Sequence, residues 1–384
     1  MKSSKIMIIA TGCLMIGVVS VGSFLAKDRE FSENENRYLA EPPQFSWEKV
    51  LEGEFQEDLE SYLNDQILGR DFWITTKTSI QKLVGDSDIG GAYVGKDGYD
   101  FEKITPESVD RELFLENTET VKNYLDYCKS VGVEENQISF LLVPTSGLVM
   151  GDKLPVNARL FDQRQYLEEV KENIGKEYFV DVTEELQDAA QEEQVYYRTD
   201  HHWTSTGAMI AYEKWCNSTG VSFAGRDAYK KETVTEAFRG SLYSKILDYD
   251  SSYDSIWTYK KEAQTPDYEI TMDGEEAESF YIESKLAEKD KYTYFFGGNY
   301  GEVVIHNNSN QNGRKLLVIK DSFANCFVPL AAEDFEYIYM IDLRYYKGDM
   351  ATYVQEQGVT DLLVLYNISN FITDKNIYTL DKNI

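Results

Sequence analysis

Two stretches of this 384-residue chain carry side chains able to do chemistry together. The first is YYRTDHHWTSTGA, residues 196–208, where an aspartate, two adjacent histidines and a tryptophan run in succession. Only three histidines occur in the chain, His201, His202 and His306, so two of the three fall here. If residues 198–202 are extended, Asp200 and His202 leave the same face, about 6.6 Å apart at the backbone. The carboxylate can then hold one imidazole nitrogen and fix the tautomer, which leaves the other nitrogen free to act as a base. His201 would face the opposite way, as a structural residue. The other readings are a metal site and a turn in which the aspartate caps the next helix. Zinc would need at least a third ligand. Neither His306 nor Cys216 lies at ligand-like spacing from the pair, so no metal and no cofactor is expected.

The second stretch is LLVIKDSFANCF, residues 316–327, which places Ser322 where an apolar strand ends and a helix begins. A helix N-terminus presents unpaired N–H groups and a positive dipole end, both suited to an oxyanion. A serine on such a turn is held outward, as hydrolase nucleophiles are. The competing reading is that Asp321 or Ser322 only caps the helix. Cys326, one turn on, reads as core packing. Together the two stretches could supply a nucleophile, a base and an orienting acid, which is the equipment of serine acyl transfer.

The elements that must position these residues are legible as apolar runs. ISFLLVPTS (138–146), YFVDV (178–182), RKLLVIK (314–320), EYIYMID (336–342) and TDLLVLY (360–366) read as strands. Amphipathic helical patterns over residues 108–132, 163–175, 204–220 and 353–358 alternate with them. This alternation predicts an α/β layered fold with a mostly parallel sheet. Residues 225–310 differ in texture, being rich in Tyr, Asp, Ser and Gly with strand-like alternation, and are predicted to form a β-rich insertion.

Ahead of this domain, Lys2 and Lys5 precede an uncharged run, residues 6–26. At about 1.5 Å per residue such a run crosses a hydrocarbon layer roughly 30 Å thick. Its positive N-terminal flank predicts a single anchor in the cell membrane with the bulk of the chain extracytoplasmic. Val21-Gly22-Ser23 offers a cleavage site for the rival reading, a signal peptide. Residues 27–46 read as an acidic linker closed by Pro42-Pro43, residues 47–104 as a helical lead-in and hairpin, and residues 105–384 as the catalytic domain. The formal net charge of −29 excludes nucleic acid as a partner and favours neutral, hydroxyl-rich ones. Beyond the anchor stand Cys128, Cys216 and Cys326, an odd number that argues against a disulfide framework.

TDHHWTSTGA, KDSFAN, IDLRYY and ENRYLAEPP resemble the DHHW family, which is similar to the SGNH-hydrolase-like acetyltransferase domains of the alginate O-acetylation machinery. The resemblance implies an SGNH-like three-layer fold with Ser322 as nucleophile, His202 as base and Asp200 as its partner. It also implies a circularly permuted motif order, because the Asp-x-His block precedes the serine by 120 residues. Asn367 then falls at the place of the oxyanion-hole asparagine, with Tyr366 a competing donor and Arg344 a residue that could line that side. Two departures stand out: Lys320 occupies the glycine position of Gly-Asp-Ser, and the histidine follows its aspartate at a spacing of two rather than three. The implied function is a membrane-anchored O-acetyltransferase or acetylesterase acting on a cell-surface or exported polysaccharide. The resemblance adds a multipass membrane acyltransferase as the partner supplying acetyl groups. A different class also fits, a non-catalytic envelope scaffold that binds glycan or assembles a modification complex.

Overall fold

Alternate side chains along the central strands go to two separate cores. Leu141, Val143, Leu316, Val318, Leu363 and Leu365 join one apolar cluster. Their strand neighbours Leu142, Leu317, Ile319, Leu362 and Val364 join the other. A sheet buried on both faces needs apolar residues at both parities, so these strands read as continuous apolar runs. The helix Ser205–Thr219 covers the first face through residues such as Ala208, Ala211 and Trp215. Helices Arg111–Ser130, Gln163–Ile174 and Met350–Gln357 cover the second through Val121, Leu167 and Met350. The result is a three-layer α/β arrangement. The computed structural model describes residues 2–261 and 266–384; Met1, of the anchor segment, and residues 262–265, within the predicted insertion, lie outside the described residues.

The chain divides into two compact units, Met1–Gly90 with Tyr243–Ser251, and Gly91–Leu242 with Ser252–Ile384. In the larger unit the main sheet has seven strands, in the order Glu275–Ala277, Tyr268–Met272, Glu302–Asn307, Tyr337–Ile341, Lys315–Lys320, Asp361–Asn367 and Ile138–Val143. The last four pair in parallel, while the first three join by antiparallel pairing. The expectation of a mostly parallel sheet is therefore corrected to a mixed one, half parallel and half antiparallel. The reason is that residues 268–307 of the insertion add strands to the edge of the parallel core. YFVDV also forms less than a strand, contributing only a bridge between Phe140 and Phe179. A separate antiparallel pair, Tyr229–Phe238 with Asp254–Lys261, completes the insertion's described strands.

The strand Lys315–Lys320 ends in a tight turn of 3-10 helix, Ser322–Cys326, followed by a single α-turn, Val328–Ala331. The expected α-helix start is thus a shorter, tighter element. Aligned peptide dipoles accumulate with helix length, so a turn this short has less of the dipole that the sequence reading invoked.

The smaller unit holds one helix long and apolar enough to cross a membrane, Lys5–Leu25, compatible with an anchor or a signal sequence. Three further helices follow, Trp47–Glu52, Glu54–Asp65 and Arg70–Leu83. The acidic stretch between is pinned to them. Arg37 makes a two-pronged pair with Asp65 at 2.6 and 2.8 Å, and Arg70 pairs with Glu35 at 2.9 Å.

Candidate active site

The DHHW stretch is a closed loop. Tyr196 and Trp203 form an antiparallel bridge, and the Tyr197 N–H donates to the carbonyl of His202 at 3.2 Å. Residues 198–202 bend between these ties. The extended run from which the sequence reading brought Asp200 and His202 together does not form. They meet instead through an Asx-type turn, in which Asp200 Oδ1 accepts both the backbone N–H of His202 at 2.9 Å and its ring Nδ1–H at 2.6 Å. The bend also corrects the expectation that His201 faces away from His202. Its ring lies beside that of His202, centroids 3.8 Å apart, with Nδ1 2.7 Å from the Ser241 hydroxyl.

This loop is fastened to the serine turn. Trp203 is fully buried and its indole N–H donates to the carbonyl of Phe323 at 2.9 Å. The fit places His202 Nε2 2.7 Å from Ser322 Oγ. His202 thus holds Asp200 with one nitrogen and Ser322 with the other. An ionised carboxylate only accepts, so Nδ1 carries the proton and Nε2 is the acceptor for the serine hydroxyl. Asp200 Oδ2 accepts the Ser241 N–H at 2.7 Å. That approach requires Gly240, because a Cβ there would lie 2.2–2.5 Å from the Asp200 side chain.

Burial pushes the Asp200 carboxyl up, but the charges of His201 and His202 and the hydrogen bonds from His202 and the Ser241 N–H outweigh it and hold it well below the ordinary carboxylate range. Burial, then the neighbouring His202, push His201 down against the pull of Asp200. Asp200, His201 and His202 bring ligand-type atoms within 4.8 Å of one another. Both ring nitrogens of His202 are engaged, by Asp200 and by Ser322. The donor set therefore matches a hydrogen-bonded relay better than a metal centre, whose ligands need free lone pairs.

Beneath Ser322 the turn is held by buried polar groups. Asp321 accepts from the Phe323 N–H at 2.8 Å, the Asn367 N–H at 2.7 Å and the Asn370 amide at 2.7 Å. Lys320, at the position where the glycine was expected, is 2 % exposed and donates to Asn299 and Asn325 at 2.9 and 2.8 Å. Burial pushes its ammonium down to about 8, against the pull of Asp342. Cys326 is buried with its thiol pushed up to about 12 by burial, as a packing residue would be.

The three residues proposed from sequence for the oxyanion side have other partners. The Asn367 amide donates to the carbonyls of Val143 and Pro144 at 3.1 and 3.3 Å. The buried Tyr366 hydroxyl donates to Asp374 at 3.4 Å. Arg344 makes a two-pronged pair with the fully buried Asp342 at 2.8 and 2.6 Å. These bonds brace the ends of the strands beside the serine turn. By contrast the backbone N–H of Ser322 meets no acceptor among the described residues.

Sequence reading missed Tyr292. It comes from the insertion, in the 3-10 turn Lys291–Tyr294, and stacks on His202 with centroids 3.8 Å apart and planes 14° apart. Nothing distinguishes it among 28 tyrosines until the insertion is folded against the loop.

Fold and site together define a three-layer α/β protein with a Ser–His–Asp hydrogen-bonded chain. The family model described as DHHW protein matches residues 157–341. That span includes Asp200, His202 and Ser322. Among solved structures, the chain is similar to a DHHW family protein from Eubacterium siraeum, 25% identical, with a TM-score of 0.60 over 77% of this chain and 96% of that one. It is also similar to PatB1 of Bacillus cereus with a sulfonyl adduct, 20% identical, TM-score 0.61, over 74% and 96% of the two chains. The O-acetyltransferase domain of Pseudomonas putida AlgJ is 14% identical with a TM-score of 0.47, over 74% and 93%. No curated protein sequence matches the chain.

Proposed function

We propose that this protein is a membrane-anchored, extracytoplasmic serine acyl-transfer enzyme, an O-acetyltransferase or acetylesterase of a cell-surface or exported polysaccharide. Its frame would be SGNH-hydrolase-like with permuted motif order. The observation that carries the reading is the pair of short hydrogen bonds made by one imidazole, 2.7 Å to Ser322 Oγ and 2.6 Å to Asp200 Oδ1. The DHHW resemblance supports the acetyl group, and the net charge of −29 supports a neutral, hydroxyl-rich acceptor.

Ser322 Oγ attacks the acetyl carbonyl while its proton moves to His202 Nε2. The imidazolium so formed is stabilised by Asp200, whose carboxylate is ionised across the neutral range. The Ser322 N–H is free to meet the oxyanion. Collapse breaks the bond to the donor, whose leaving atom takes the proton from Nε2, and leaves acetyl-Ser322. A sugar hydroxyl or water then gives its proton to Nε2 and attacks the acetyl carbon; collapse breaks the bond from Ser322 Oγ to the acetyl group, and Oγ takes the proton back from Nε2. By family resemblance, a multipass membrane acyltransferase supplies the acetyl donor.

The test is hydrolysis of a chromogenic acetyl ester by the full chain in detergent. Ser322→Ala and His202→Ala should each lower kcat by roughly 10⁴. Equal rates in all three proteins, with glycan binding intact, would instead leave the scaffold reading.

A further inference from the structure

Large apolar side chains are distributed unevenly over the surface. In the larger unit the exposed ones are scattered singly along the chain, as at Leu115 and Val156. In the smaller unit they crowd onto three helices, where Trp47, Leu51, Leu63, Phe72, Ile80 and Leu83 are all more than half exposed. Phe72, Ile80 and Leu83 share one stripe of the helix Arg70–Leu83 and line a groove of about 560 Å³. Exposed apolar area on this scale marks an interaction surface.

The same unit shows what lies beside that surface. The Leu68 N–H donates to Ser23 Oγ at 2.8 Å, and a Cβ at Gly22 would lie 2.5 Å from Leu68 Cδ2. Arg29 and Gln66 exchange two hydrogen bonds at 3.0 Å, and Tyr62 reaches Asp28 at 3.1 Å. Leu68 is thus level with the last turn of the apolar helix Lys5–Leu25. A spanning helix ends at the lipid–water boundary, so side chains level with its last turn meet headgroups and the upper acyl chains.

We infer that the helices Trp47–Glu52, Glu54–Asp65 and Arg70–Leu83 form a lipid-docking surface that lies on the outer leaflet of the membrane holding the N-terminal helix. This goes beyond the serine chemistry and rests on the helix Lys5–Leu25 staying attached. Acidic residues outnumber basic ones over residues 47–84, eight to four. Docking is therefore driven by apolar burial and owes nothing to anionic headgroups.

The tryptophans supply the test. Of the five, Trp203, Trp215 and Trp257 are buried in the larger unit, while Trp47 and Trp73 lie on the docking helices. The full chain is reconstituted into neutral phosphatidylcholine vesicles, with and without bromine on the acyl chains. Bromination should remove roughly two-fifths of the emission, the share of two tryptophans in five. The loss should vanish in the double variant Trp47→Tyr/Trp73→Tyr and should be unchanged by high salt. Emission indifferent to bromine would overturn the proposal and leave the surface to a membrane-protein partner. A loss that persists in the double variant, or that needs anionic lipid and disappears with salt, would overturn it as well. Acetyl-ester hydrolysis by the same vesicles reads the serine chemistry separately.

Discussion

Tyr292 lies flat on His202, 3.8 Å between ring centroids, so a side chain from the insertion sets the plane of the imidazole joined to Ser322. Its hydroxyl also donates to the Ser322 carbonyl at 3.0 Å. One residue thus braces both ends of the hydrogen bond between imidazole and serine.

Tyr292→Phe keeps the stack and removes the bond to the Ser322 carbonyl. A neutral hydrogen bond is worth about 1 kcal/mol, so kcat for the acetyl ester should fall roughly 3–10-fold with KM unchanged. Tyr292→Ala also removes the stack and should lower kcat further. If Tyr292→Ala turns over at the wild-type rate, the insertion does not position the base.

Gly240→Ala puts a Cβ within 2.2–2.5 Å of the Asp200 side chain. The carboxylate must retreat from His202, and a displacement near 1 Å costs roughly 10–100-fold in kcat. Steady-state kinetics with an unchanged Tm would locate the damage in the site. A variant with full kcat would show that Asp200 is not held by this close approach.

Lys320 predicts a pH dependence of stability. Its ammonium is pushed down to about 8 by burial, from an ordinary 10.5. Between these values the unfolded chain holds the extra proton, so the unfolding free energy rises with pH across that window. Relative to Lys320→Met, the wild type should gain on the order of 2–3 kcal/mol between pH 7.5 and 10.5. Denaturant curves at the two pH values check this, and a difference between the two proteins that stays constant with pH would contradict it.

Arg344→Gln separates pairing from substrate recognition. Asp342 is fully buried and would lose its two-pronged partner, keeping the backbone N–H of residue 344 at 3.2 Å and Lys320 at 3.7 Å. With a third of the Arg344 side chain exposed, the expected loss is roughly 2–3 kcal/mol of stability. KM should change less than twofold. A tenfold rise in KM at unchanged Tm would return Arg344 to the substrate side.

Much of the parallel core was legible because a strand covered on both faces must be apolar at every position, as LLVIK and LLVLY are. The antiparallel half was not, because the alternation in insertion strands such as EVVIHN (302–307) does not say which sheet edge they join. Asp200, His202 and Ser322 were singled out by scarcity and by the end of an apolar run. The reach of Asp200 was misjudged, since an extended strand and a bend can place residues two apart in contact equally well. Asn367 had the residue type of an oxyanion donor, yet its amide is spent on the carbonyls of Val143 and Pro144.

The sequence by itself determined most of the apolar strands and amphipathic helices, and that a serine, a histidine and an aspartate stand at the ends of such segments. Those properties follow from local periodicity and covalent neighbours. Only the tertiary structure decided that His202 stands 2.7 Å from a serine 120 residues away, that His201 lies beside it, and that Tyr292 holds it. Such contacts come from packing between distant segments, here through Trp203 and the Phe323 carbonyl, and no local pattern encodes them.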